Sequence, residues 1–183
     1  MVDVGTGDGK GVVRRARREP RTLVIGLDAA ARALAATSRR AAAPARRGGL
    51  PNALFLAAAA ETLPGPLAGR ADEVTVVLPW GSLLRGLALP EPAQVTAVAG
   101  LLRTGARLEL MLSIDGVDSS AGLPLTTAQS MGDLAARYAN IGLGCRELRP
   151  ASDDDVERLG SSWARRLGIP RRRPAWLLTF ERG

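Results

Sequence analysis

The feature that most constrains this chain is the turn at its start, Val2-Asp3-Val4-Gly5-Thr6-Gly7-Asp8-Gly9-Lys10. A short apolar stretch meets an acid and three alternate glycines, then a basic run able to form a helix. Glycine permits backbone angles closed to other residues, and it lets a ligand approach the main chain with no Cβ in the way. The stretch therefore reads as a strand turning tightly into a helix whose amino end lies beside a bound nucleotide.

The rest of the chain continues the alternation. After a strand at 1–4 and a helix at 9–19 closed by Pro20, strands are predicted at 22–27, 53–58, 73–78, 106–113, 144–148 and 175–180. Helices are predicted at 29–43, 91–102, 128–141 and 153–167, with a basic breaker segment at 44–49 and a loop at 115–126, and the fourth strand feeds directly into 79–85. This order argues a doubly wound α/β sheet, mostly parallel, whose last strands run antiparallel at the edge. Ligands of such sheets bind beyond the carboxyl ends of the strands, so the segments after the first four strands converge on one crevice. The whole of 1–183 is expected to form one domain, with 149–174 a helical and arginine-rich linker before the last strand.

The glycine spacing is not that of the dinucleotide fingerprint. Asp-x-Gly-x-Gly-x-Gly instead resembles the first motif of S-adenosylmethionine-dependent methyltransferases, whose cationic donor is attracted by a carboxylate that would repel a pyrophosphate. Asp28 closes the second strand, where an acid accepts hydrogen bonds from ribose hydroxyls or caps the next helix. Ala60 and Glu61 follow the third strand, where an adenine would lie, although Glu61 also reads as a solvated loop acid.

Composition narrows the chemistry. Lys and Arg total 25 against 18 Asp and Glu, a net charge of +7, with no histidine and a lone cysteine, Cys145. The usual general base, the usual zinc ligand and an internal disulfide are thereby absent, and no metal site is expected. No run is long enough to span a membrane and no leader pattern is seen, so a cytoplasmic protein is expected. The cations are mostly arginines in clusters, at 14–21, 39–47 and 165–173, which is the footprint of a phosphate backbone or simply of solvated helix faces.

Two tryptophans stand out. Trp80, between Pro79 and Gly81 after the fourth strand, lies outside any apolar periodicity and reads as a stacking face for a base or as a cap on the sheet end. Trp163 shares one ideal helix face with Val156, Leu159 and Leu167, so periodicity alone makes it core. Trp176, inside an apolar strand, reads as core as well.

Taken together, Asp3 to Lys10, Gly48-Gly49-Leu50-Pro51-Asn52, Ala60-Glu61, Pro79-Trp80-Gly81-Ser82-Leu83-Leu84-Arg85-Gly86 and Ser162-Trp163-Ala164-Arg165-Arg166-Leu167 resemble the aminoglycoside-resistance methyltransferases that modify N1 of adenine 1408 in 16S ribosomal RNA. The resemblance implies a class I, Rossmann-like methyltransferase using S-adenosylmethionine, acting as a monomer on the 30S subunit. It implies that Trp80 and Trp163 sandwich the flipped adenine, against the core reading of Trp163, and that Ser82, Ser161 and Ser162 hold the site. It assigns Asp3, Gly5, Thr6, Gly7, Asp28, Ala60, Glu61, Pro79, Ser82 and Leu83 to the methyl donor. Arg46, Arg47, Arg166, Arg171 and Arg173 fall to ribosomal RNA. The family carries a further N-terminal segment ahead of the first motif, which is expected to be missing here. A methyltransferase of a small molecule or of another RNA base, and an RNA-binding relic without catalysis, remain as other readings.

Overall fold

The computed structural model describes residues 1–116, 118 and 122–183, which build a seven-stranded sheet with helices on both faces. The strands are β1 (Val2–Val4), β2 (Val24–Asp28), β3 (Ala53–Ala57), β4 (Ala71–Val77), β5 (Leu102–Leu112), β6 (Leu143–Pro150) and β7 (Trp176–Arg182), in the spatial order β3-β2-β1-β4-β5-β7-β6. The first five are parallel to one another, and β7 runs antiparallel between β5 and β6. This is the doubly wound sheet with an antiparallel edge that the sequence predicts. Chain order reverses at β1, so a crevice opens there beyond the carboxyl ends of the strands.

The helices are α1 (Lys10–Arg18), α2 (Ala31–Ala41), α3 (Gly81–Ala88), α4 (Pro92–Leu101), α5 (Ala128–Ala139), α6 (Asp153–Leu159) and α7 (Ser162–Leu167). Three differ from expectation. The sequence assigns no element to 79–85, where Pro79 and Gly81 break the pattern, and there α3 starts at Gly81 and buries Leu84, Leu87 and Ala88. The single helix expected over 153–167 is two: Gly160, at φ 67°, ends α6, and the Ser161 side chain accepts the Ala164 N–H at 3.1 Å to start α7. β5 begins at Leu102, opposite Ala71, rather than at 106. The loop expected over 115–126 includes 117 and 119–121, which lie outside the described residues.

Period-two alternation sorts the core. Val2 and Val4 of β1 and Leu108, Leu110 and Leu112 of β5 join the main cluster with Leu87, Val98, Met131 and Tyr138 from α3, α4 and α5. Met111 and Leu177 point to the other face and pack with Val156 and Ala164 beneath α6 and α7. A smaller cluster of Val12, Ala16, Val24, Ala41 and Ala53 seats α1 and α2. Trp176 packs partly buried against the main cluster, as its strand position predicts. Truncating any of the fully buried leucines is expected to cost about 2 to 5 kcal/mol.

The Gly48 to Asn52 motif has a structural task at the amino end of the sheet. A Cβ on Gly49 would sit 1.6 Å from the Ala43 carbonyl oxygen. The Asn52 amide donates to the carbonyls of Ala16 at 2.9 Å, Thr22 at 3.0 Å and Glu19 at 3.1 Å, tying the end of α1 to the start of β2.

Candidate active site

The glycine turn is anchored by backbone bonds: the N–H groups of Gly5 and Thr6 both donate to the Leu27 carbonyl, at 2.8 and 3.0 Å. Gly5, Gly7 and Gly9 all have positive φ, at 72°, 62° and 71°. Their surroundings differ. A Cβ would strike Leu83 at Gly5 and the Phe55 ring at Gly9, whereas nothing lies within 4 Å of one built on Gly7, which leaves the main chain open to a ligand.

Two acids flank the turn. Asp3 faces Thr75 across the β1–β4 register, and the Thr75 hydroxyl donates to its carboxylate at 2.8 Å. Burial pushes the Asp3 carboxyl above the usual carboxylate range, opposed in part by hydroxyls that favour its charged form. Asp28 accepts the Gly7 N–H at 2.7 Å and the Ala30 N–H at 2.8 Å, so it braces the turn and caps the segment leading into α2 while its remaining lone pairs stay free for a ligand. Beyond β3, Glu61 accepts a hydrogen bond at 2.8 Å from Gln94, a buried amide wedged against Gly86.

These residues line one cavity of about 660 Å³ at the carboxyl ends of β1 to β4, a size typical of ligand pockets. The structure brings Asp3, Gly5, Thr6, Gly7, Asp28, Ala60, Glu61, Ser82 and Leu83 to its wall. Trp80, Ser161, Ser162, Trp163 and Arg166 line it too, while Pro79 stands outside the lining. Trp163 is 38% exposed and Trp80 65%, with ring centroids 6.2 Å apart, so the core reading of Trp163 from periodicity is corrected. The reason is Gly160, which interrupts the helix and resets the phase by which Trp163 shared a face with Val156 and Leu159. Leu78, just before Pro79-Trp80, holds φ 50°, a left-handed backbone uncommon for a bulky residue and of the kind that collects at ligand sites.

The arginines separate. Arg166 is exposed at the cavity and its guanidinium lies 5.8 Å from the Trp163 ring centroid. Arg171 is exposed and pairs with Asp153 at 3.0 Å. Arg173 is drawn inward, 16% exposed, donating to the Ser113 hydroxyl at 2.7 Å and pairing with Asp115 and Asp118. In this arrangement its guanidinium braces the segment after β5 rather than facing solvent. Arg46 and Arg47 sit on a turn between α2 and β3, at the amino end of the parallel strands and away from the cavity.

Sequence reasoning missed several lining or supporting residues. Asp8 and Gly11 lie within the turn and its helix and carry no separate signal in the sequence, and Leu159 lies on the apolar helix face, yet all three line the cavity. Thr75 and Gln94 carried no local signal, because each is recruited by an acid distant in sequence. Among the described residues no group of histidine, cysteine or acids could hold a metal, and no helix is long and apolar enough to cross a membrane.

Residues 1–181 match the family model described as NpmA, 16S rRNA (adenine(1408)-N(1))-methyltransferase. The chain belongs to this family. It is 39% identical over 178 residues to the 16S rRNA (adenine(1408)-N(1))-methyltransferase of Streptoalloteichus hindustanus, covering 94% of this chain and 82% of that protein. The Escherichia coli protein of the same name is 31% identical with the same coverage. Among solved structures, the 16S rRNA methyltransferase KamB superposes with a TM-score of 0.88 at 39% identity, covering 100% of this chain and 86% of that one. A tryptophan-to-alanine mutant of the Catenulisporales acidiphilia enzyme, crystallised with its cosubstrate S-adenosylmethionine, gives a TM-score of 0.88 at 34% identity over 99% of this chain and 84% of that one.

Members of this family use S-adenosylmethionine, and the cavity suits it. The partly buried Asp3 carboxyl offers charge to an ammonium group, and Gly7 leaves the main chain bare. The lone pairs of Asp28 face the same space, and no cation in the turn would repel a sulfonium other than Lys10, which Asp8 neutralises at 2.8 Å.

Proposed function

We infer that the chain transfers the methyl group of S-adenosylmethionine to N1 of adenine 1408 in 16S ribosomal RNA of the 30S subunit, conferring aminoglycoside resistance. One observation carries the reading: Trp80 and Trp163 face each other on the same cavity whose wall holds Asp3, Gly7 and Asp28. The donor supplies an electrophilic methyl carried on a sulfonium. Asp3 would hold its ammonium end, Asp28 its ribose hydroxyls, and Ala60 with Glu61 its adenine.

Adenine N1 has an unprotonated lone pair at neutral pH, so the chain's task is to position and desolvate rather than to remove a proton. A chain without histidine is suited to that. Alignment of two reactants is worth about 7 to 11 kcal/mol. The base must leave its stack, which costs a few kcal/mol, and two indoles return roughly 1 to 3 kcal/mol per stacked base. Ser161 caps the helix that carries Trp163, and Ser82 and Ser162 complete the wall.

Arg166 and Arg171, with the neighbouring Arg165 and Arg172, are exposed cations of 149–174 available to RNA phosphates, with Arg46 and Arg47 reaching a more distant part of the subunit. The chain acts as a monomer in the cytoplasm, where its ribosomal substrate is. A methylated N1 makes the base edge cationic, which disfavours a polycationic drug.

The test is to incubate 30S subunits with protein and donor and then extend a primer through the region. A methyl on N1 blocks the pairing edge, so reverse transcriptase is expected to stop at adenine 1408. A stop at another nucleotide, or transfer to a free metabolite without ribosomes, would move the reading elsewhere.

A further inference from the structure

The donor turn and the helix that carries Trp163 meet at one polar point, across 154 residues of sequence. The Ser162 hydroxyl lies 3.4 Å from each carboxylate oxygen of Asp8. Asp8 follows Gly7 in the turn, and Ser162 is the first residue of α7, next to Trp163. The carboxylate is fixed from its own side by Lys10, whose ammonium pairs with it at 2.8 Å and whose N–H donates to it at 3.1 Å. The Asp8 carbonyl accepts the Thr37 hydroxyl of α2 at 2.6 Å, so the turn is held from behind as well.

The main chains also approach one another here. A Cβ on Gly11 would lie 3.7 Å from the Leu159 carbonyl oxygen and 3.8 Å from that of Gly160, and Arg18 donates to the Arg158 carbonyl at 2.5 Å. These contacts seat α6. α7 is less firmly attached: it has six residues, glycines in the left-handed region stand at both its ends, and Ala164 is its only buried residue. A helix so short has little stability of its own and takes its position from contacts.

We propose that Asp8 is a positioning residue that couples the donor turn to the base-holding helix through Ser162, so that a filled donor site orders Trp163 and strengthens binding of the RNA. This rests on the functional reading above. A ligand on the open main chain of Gly7 fixes the adjoining Asp8, and Asp8 fixes Ser162 and the indole beside it. By linkage the effect is reciprocal: RNA held by Trp163 tightens the donor by the same factor.

The experiment measures the affinity of the full chain for 30S subunits with and without saturating S-adenosylhomocysteine, a product that cannot react. For the unmodified protein the ratio of the two affinities is expected to be about fivefold or more. D8A and S162A should bring it towards one, with S-adenosylhomocysteine kept saturating for each variant. D8N, which keeps an acceptor for the hydroxyl, should restore part of the ratio.

A second measurement needs no RNA. In a W80F/W176F background Trp163 is the only indole, and its emission should shift on adding S-adenosylhomocysteine, with the shift abolished by S162A. A ratio unchanged in D8A and S162A, or an equal shift with and without Ser162, would overturn the proposal. An emission shift that depends on Ser162 together with no 30S binding at all would instead mean that the coupling stands and the assigned substrate is wrong.

Discussion

The indole of Trp80 meets that of Trp163 nearly edge to face, with planes at 74° and centroids 6.2 Å apart. A purine stacked on both needs the rings parallel with its own thickness between them, so at least one indole turns as a base enters. Both are exposed enough to do so. Alanine at either position is expected to lower kcat/KM for 30S subunits roughly 5- to 150-fold, the equivalent of about 1 to 3 kcal/mol of stacking. Donor affinity by calorimetry should stay within about threefold, and an equal loss of both would mark the indole as structural.

Asp3 sets a pH dependence for donor binding. Its carboxyl is held above the usual range by burial, and only the ionised form attracts an ammonium group. Affinity for S-adenosylmethionine is therefore expected to fall as pH drops through that raised value, before an ordinary surface carboxylate would protonate. D3N should lose about 10- to 150-fold in affinity, as for a charge-assisted hydrogen bond of roughly 1.5 to 3 kcal/mol, and should flatten the profile. A D3N profile that keeps the original slope would assign the titration to another group.

A second acid is shifted in the opposite direction. Asp155, buried at the start of α6, pairs with Arg149 and Arg158, and Arg158 in turn donates to the buried Glu109 of β5 at 2.8 Å. The Arg149 guanidinium holds the Asp155 carboxyl far below the usual range. Its folded value lies below its unfolded one, so its contribution is complete above the ordinary aspartate value of about 4 and is lost as pH falls further. D155N is expected to cost about 2 kcal/mol in urea unfolding at neutral pH, a figure kept small because both arginines are partly exposed. The gap between variant and parent should narrow as pH falls below 4.

Gly49 gives a stability test remote from the cavity. The Cβ of G49A would overlap the Ala43 carbonyl, a backbone atom that cannot step aside cheaply. A loss of about 2 to 4 kcal/mol is expected, with donor affinity unchanged in the fraction that folds. If G49A unfolds like the parent, the turn from α2 into β3 is laxer than its contacts indicate.

The sequence disclosed what is local. The turn at Gly5, Gly7 and Gly9 was legible because positive φ and close approach both demand glycine, and the strands because their apolar runs are bounded by turn residues. α3 was hidden because Pro79 and Gly81 mark a helix start as readily as a loop. Trp163 was misleading for a different reason: one glycine broke the helical phase on which its core reading depended. Thr75 and Gln94 could not be read, since their meaning comes from Asp3 and Glu61, 72 and 33 residues away.

Gly160 and Gly168, at φ 67° and 70°, stand at the two ends of α7. Such termini detach the short helix from the ladder of the sheet, since neither end continues into a strand. Diversification can then be confined to a replaceable cassette of some eight residues. Descendants of this chain could vary the Trp163 half of the base clasp there while inheriting Trp80 and the methyl-donor apparatus unaltered.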